Sequence, residues 1–193
     1  MSAPVHSVKK EAIYAAAARL FREKGYSATS MRELAAAVDL EASSLYSHIS
    51  SKADLLDHIC FSAADAFTRG IKSVEQSGES PLDQIRALIR LHVHIALKDP
   101  SSQTVFNDEW RHLPPERLAT FHTLRRNYEE DFLRIIDAAK RKGQLKDIPT
   151  KTILLTILSG MRWLHNGKIT SKKDQDERLA EDMCTLFLEG LCR

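Results

Sequence analysis

Ser30-Met-Arg-Glu-Leu-Ala-Ala-Ala-Val-Asp39, continued by Leu40-Glu-Ala-Ser-Ser-Leu-Tyr-Ser-His-Ile49, is the stretch whose reading decides the fold. Ser30 followed three residues later by Glu33 makes a capping box, in which the hydroxyl accepts the Glu33 amide and the carboxylate accepts the Ser30 amide. A helix starts there. Leu34, Ala35 and Val38 keep a helical spacing, Asp39-Leu40-Glu41 interrupts it with turn and cap formers, and Leu45 and Ile49 resume a second stripe. The pattern predicts helix, tight turn, helix. In a helix-turn-helix the first helix crosses the DNA backbone and the second offers its N-terminal residues to base edges. Between its apolar anchors the second helix carries Ala42, Ser43, Ser44, Tyr46, Ser47 and His48, which are small or hydrogen-bonding. Two amphipathic helices joined by a turn also occur as plain packing units in all-α proteins, so the flanking sequence has to decide.

Upstream, Ile13, Ala16, Ala17, Leu20 and Phe21 share one helical face, and Gly25 stands where that helix stops. Downstream, Ser50-Ser51-Lys52-Ala-Asp54-Leu-Leu opens a further helix. Leu20-Phe21, Gly25-Tyr26, Thr29-Ser30-Met31-Arg32-Glu33-Leu34-Ala35, Leu45-Tyr46-Ser47-His48-Ile49 and Ser51-Lys52 with Leu55 run in the order of a known N-terminal pattern. With these pieces the chain resembles the TetR family of transcriptional repressors. The resemblance implies an all-α fold of about nine helices. It implies a DNA-binding domain at residues 1–51, built from three helices, and a larger ligand-binding and dimerisation domain at 52–193. In such a head, Thr29, Ser30, Tyr46 and Lys52 are expected at phosphates and Ser43, Ser44, Ser47 and His48 at base edges, with Arg32 a further expected DNA-binding residue. Tyr46 and Lys52 match the family pattern most directly.

Two positions depart from that pattern. The family usually has Gly where this chain has Asp39, and commonly a Lys-Gly pair where it has Ala42-Ser43. Aspartate tolerates the left-handed conformation better than most residues with a side chain, so the turn can form. The missing lysine leaves a reading helix without permanent positive charge, beginning beside Glu41. Through Lys52 the chain carries seven Lys and Arg against five Asp and Glu, so the whole net charge of +2 lies in this segment. That bias agrees with a phosphate-facing surface.

The hydrophobic fraction of 43% and charged fraction of 28% are those of a soluble globular protein. Cys60, Cys184 and Cys192 fall within or at the ends of apolar helical patterns, which points away from a disulfide framework and toward a reducing cytoplasm. Met1 to Lys10 is polar, so no secretory signal is expected. The most apolar run, Ile153 to Met161, falls far short of the roughly 20 residues that cross a bilayer, so no membrane partner is expected.

Beyond the head, a long helix is predicted from Lys52 to about Gln76, and Pro81 opens another with the stripe Ile85, Leu88, Ile89, His92 and Ile95. Asp99-Pro100 stops that helix. Gln103 to Leu113 form a short segment, and a long helix follows from Glu116 to Lys142. The next helix, Lys151 to about His165, is apolar around nearly its whole circumference at Ile153, Leu154, Leu155, Ile157, Leu158, Met161, Trp163 and Leu164, which predicts burial on all sides. A last helix spans Asp176 to Leu191. The economical expectation is that these two helices pair with their copies in a homodimer.

Asn107 to Leu113, Leu124 to Glu129, Lys142 to Leu145 and Gly160-Met161-Arg162-Trp163 are similar to the ligand-binding domain of TetR-type repressors that respond to acyl-coenzyme A thioesters. That group often has a second aromatic and then a proline where this chain reads Leu164-His165-Asn166-Gly167. The implied partners are an operator duplex and a small-molecule effector, an acyl-coenzyme A thioester or another apolar molecule. From the residues themselves, Phe106, Trp110, Phe121, Tyr128, Met161 and Trp163 are candidates for an acyl pocket, and Arg111, Arg125, Arg126 and Arg162 for its phosphates. Aromatic residues at helical spacing also make ordinary core, and helix arginines also make surface ion pairs.

No cofactor or metal site is expected. His92 and His94 stand two apart, on different helix faces, and Glu109 with His112 makes an i, i+3 pair without further ligands. A catalytic role on the thioester, and a protein-binding adaptor, are the other classes considered. The chain has no glycine-rich phosphate loop, no Gly-x-Ser-x-Gly and no paired-histidine motif, so no catalytic residue is named.

Overall fold

The structure is a computed structural model and describes residues 5–164 and 173–192. Among the described residues there are nine α-helices: α1 (Val5–Lys24), α2 (Met31–Ala36), α3 (Ala42–Leu45), α4 (Lys52–Glu75), α5 (Pro81–Lys98), α6 (Pro100–Asp108), α7 (Pro115–Arg141), α8 (Thr150–Arg162) and α9 (Lys173–Leu191). A 3-10 turn, Trp110–His112, lies between α6 and α7. The expected all-α architecture is the observed one. His165, Asn166 and Gly167, where the effector-domain resemblance departs from its pattern, lie outside the described residues.

Local chemistry sets the helix ends. Gly25 has φ +84°, a left-handed value that costs a glycine little, and its amide donates to the Phe21 carbonyl at 2.9 Å. Ser80 accepts the Asp83 amide, and Pro81 occupies the first turn of α5, where its missing N–H has no helical partner to lose. The α7 to α8 connection is fastened to the end of α9, because the Lys146 amide donates to the Leu191 carbonyl at 2.7 Å.

The chain divides into two compact units. The first comprises residues 1–64 and 101–121, the second 65–100 and 122–193. The long helices α4 and α7 each contribute several residues to both. This packing division falls elsewhere than the functional division expected at residues 51 and 52. In the first unit Ile13, Ala17, Phe21, Leu34, Leu45, Leu55 and Leu56 are essentially inaccessible. In the second, α5 packs along α9 and against α8, burying Ile85, Leu88, Ile89, Phe132, Ile136, Ile153, Ile157, Cys184 and Leu188. Each such side chain contributes about 1.5–3 kcal/mol on removal from water.

The expectation that α8 is buried on all sides is corrected here. Ile153, Leu154, Ile157 and Met161 face the core, but Leu155 is 53% exposed, and Trp163, just past the helix, is 70% exposed. The neighbouring α9 exposes Leu186. Its Phe187 ring lies so close to Gly160 that a Cβ there would come within 2.5 Å of it. One chain covers one face of this pair and leaves apolar side chains on the other.

Candidate functional site

The capping box at Ser30 is formed. The Glu33 amide donates to Ser30 Oγ at 3.2 Å and the Ser30 amide donates to Glu33 Oε2 at 2.9 Å. Lys24 Nζ reaches Glu33 Oε1 at 2.6 Å, and these donors, the lysine first, pull the Glu33 carboxyl down to about 2. Asp39 adopts φ +53°, the left-handed turn position where the family pattern has glycine. After it, α3 buries Leu45, the next turn buries Ile49, and Ser43, Ser44, Tyr46 and Ser47 are left exposed. Ser47 Oγ donates to the Ser44 carbonyl at 2.7 Å. His48 is half-buried, while Ser30 and Arg32 are exposed at the start of α2.

Two residues expected at phosphates have other work. Thr29 is 1% exposed, and its hydroxyl donates to the Gly25 carbonyl at 2.9 Å and toward Leu20 at 3.4 Å. Its side chain is therefore turned inward, toward the end of α1. Lys52 Nζ donates to the Tyr26 and Thr29 carbonyls, both at 2.9 Å, and toward Ser27 at 3.4 Å, with the Tyr26 ring 4.5 Å away. The carbonyls beyond the end of α1 lack helical partners and carry partial negative charge, which is what an ammonium satisfies. Lys52 thus ties the start of α4 to the loop before α2.

The aromatic residues expected to share one pocket are divided between the units. In the first, Phe121 is fully buried, with Trp110 stacked at 6.1 Å and Phe106 and Phe61 edge-on at 5.4 and 6.0 Å. Arg111 is exposed, its guanidinium 5.6 Å from the Trp110 ring. In the second unit Tyr128 meets two residues that periodicity alone did not single out as pocket residues. His92 Nε2 and Tyr128 Oη are 2.7 Å apart, and the Phe67 ring centroid lies 4.6 Å from His92 and 5.7 Å from Tyr128. Burial pushes the His92 imidazole down to about 3 and the Tyr128 phenol upward. The signal available in the sequence was a lone histidine in the apolar stripe of α5.

Arg125 is half-buried, one turn before Tyr128 on α7. Met161 belongs to the core of the second unit, whereas Arg162 and Trp163 are exposed. An open groove of 860 Å3 between α5 and α9 is walled by Arg90, His94 and Lys98 against Glu177 and Glu181, with none of the expected effector residues. Glu109 and His112 pair at 3.5 Å, and among the described residues no three His, Cys, Asp or Glu side chains gather as metal ligands do.

Residues 78–191 match the family model described as Tetracyclin repressor-like, C-terminal domain. Residues 13–59 match the one described as Bacterial regulatory proteins, tetR family. The HTH-type transcriptional repressor KstR2 of Rhodococcus jostii (strain RHA1) is 24% identical over 181 residues, which span 91% of this chain and 87% of that protein. The solved ketosteroid transcriptional regulator KstR2 of Mycobacterium tuberculosis superposes with a TM-score of 0.88 at 16% identity, over 100% of this chain and 97% of that one. AibR, solved in complex with isovaleryl coenzyme A and operator DNA, gives 0.79 at 24% identity over 93% and 98%. This chain belongs to the TetR family of bacterial regulatory proteins.

Proposed function

We propose that this protein is a cytoplasmic homodimeric repressor that leaves its operator when a small apolar effector, an acyl-coenzyme A thioester by preference, binds the second unit. The observation that carries the reading is the α3 face. Leu45 and Ile49 are held inside while Ser43, Ser44, Tyr46 and Ser47 project from α3 and the turn after it, which follow a helix α2 whose start is fixed by the Ser30 capping box. In this reading Tyr46 and Arg32 position the head on phosphates, and Ser43, Ser44, Ser47 and His48 meet base edges.

A second copy of the chain is the proposed cover for Leu155 and Leu186. Two heads joined in this way sit one DNA turn apart, about 34–36 Å, or somewhat more. The acyl-coenzyme A preference is supported by the AibR complex named above and by Arg125 standing one turn from Tyr128. Because α4 contributes to both units, a change around Phe67 is transmitted along the helix that Lys52 ties to the head. A coupling of about 1–3 kcal/mol, roughly five- to 150-fold in affinity, is the usual size of such linkage.

The test is fluorescence anisotropy on duplexes from the DNA flanking the protein's own gene. Sequence-selective binding that weakens steeply with salt, and release by acyl-coenzyme A thioesters, are expected. Equal affinity for all duplexes at every salt concentration contradicts the operator reading.

A further inference from the structure

We infer that Glu41 is a specificity-determining residue of the head, whose carboxylate accepts a hydrogen bond from the exocyclic amine of a cytosine in each operator half-site. This rests on the operator reading above and names a base which that reading leaves open. Glu41 immediately precedes α3, with extended backbone at φ −69° and ψ 147°, and it is exposed, as are Ser43, Ser44 and Ser47. A polar side chain in that place commonly accepts an amide of the first helical turn, but Glu41 makes no such bond. Among the described residues no hydrogen bond or ion pair engages its carboxylate. The other carboxylate at a helix start in the head, that of Glu33, is held by Lys24 and by the Ser30 amide. One acid is part of the scaffold, and the other stands free on the face that meets DNA.

Charge and hydrogen-bond chemistry then select the base. From Asp39 to Ser50 the sequence carries Asp39 and Glu41 and no Lys or Arg. This segment therefore has no guanidinium for a guanine edge, and the hydroxyls of Ser43, Ser44 and Ser47 can donate or accept, so they fit several bases. An ionised carboxylate only accepts. Brought into a groove flanked by phosphates it loses water and meets like charge, a cost that a donor on a base edge offsets. In the major groove those donors are the amines of cytosine and adenine. Adenine sets its N7 acceptor next to the amine, where it repels a carboxylate oxygen, and cytosine has no such neighbour.

The experiment selects duplexes from a randomised library with the full chain, with Glu41→Ala and with Glu41→Gln, and then ranks the enriched sequence and its single-base variants by competition anisotropy. The wild type is expected to prefer cytosine at one position of each half-site by about tenfold over the other bases. Glu41→Ala is expected to bring that ratio close to one while the remaining positions keep their ranking. Glu41→Gln is expected to admit adenine there, because its amide adds the donor that adenine N7 accepts. Glu41 is exposed and caps nothing, so both variants should unfold at the wild-type temperature. A wild-type motif without such a cytosine overturns the inference, as does a preference that persists in Glu41→Ala or a cytosine-to-adenine ratio undiminished in Glu41→Gln. A uniform rise in affinity for all sequences in both variants, with the motif unchanged, overturns it too and marks the carboxylate as a repulsive charge only. Each of these results leaves the operator reading standing. A wild type that enriches no sequence overturns both.

Discussion

Two surfaces of this molecule are exposed for opposite reasons. On α3 and the turn after it the exposed side chains are serines and a tyrosine, held out by two buried anchors, and water satisfies them as well as a partner would. On α8 and α9 the exposed side chains are Leu155 and Leu186, which water does not satisfy. The first surface suits a partner that offers hydrogen-bond edges and phosphates. The second suits a partner that offers carbon, and a second copy of the chain is the one proposed. The contrast assigns each surface its partner before any complex is considered.

The largest expected effect comes from breaking the apolar surface. Leu155→Glu combined with Leu186→Glu places charges at the centre of the proposed dimer face, and sedimentation should show a monomer at micromolar concentration. Operator affinity should fall by about 100-fold or more, since one head alone keeps only its own contacts. A double variant that stays dimeric moves the interface elsewhere.

Next in size is Lys52. If its role is to satisfy the carbonyls of Tyr26 and Thr29, Lys52→Met should cost about 2 kcal/mol of stability in chemical denaturation. The salt dependence of DNA affinity should not change. A salt slope smaller by about one would instead place the ammonium on a phosphate.

The second unit should be acid-sensitive through His92. Its folded pKa, about 3, lies below its ordinary value of 6.5, so the unfolded chain takes the proton first on acidification. The stability from keeping it neutral is complete above pH 6.5 and is lost progressively as pH falls toward 3. At pH 5 that loss is about 2 kcal/mol, and thermal unfolding of His92→Gln should lack this part of the slope.

The smallest effect sharpens the polar surface. Tyr46→Ala should weaken binding to specific and random duplexes alike, by about tenfold, whereas Ser44→Ala should alter the ranking of operator variants. Competition anisotropy separates the two outcomes.

The head was legible because its signals are local. A capping box, a glycine stop and a left-handed aspartate each act within four residues, and Ser30, Gly25 and Asp39 stand in the structure as their chemistry requires. The effector region was less legible because its contacts join distant segments. Periodicity places Phe121 and Tyr128 on one helix, but it does not say that Phe121 meets Phe61 and Trp110 while Tyr128 meets Phe67 and His92. Lys52 and Thr29 show a different limit. A lysine opening a helix and a threonine preceding one read as phosphate ligands, and only the positions of the Leu20, Gly25, Tyr26 and Thr29 carbonyls reveal the bonds they make. The circumference of α8 was read correctly as apolar, but whether the chain covers that circumference by itself is a property of the fold.

The most direct test of the central claim is hydroxyl-radical footprinting of the wild-type protein on its operator, beside the Leu155→Glu and Leu186→Glu double variant. Two protected segments are expected on one face of the duplex, about one helical turn or somewhat more apart, which disappear together in the double variant at the same protein concentration. A single protected segment, or two that persist when the chain is monomeric, would contradict it.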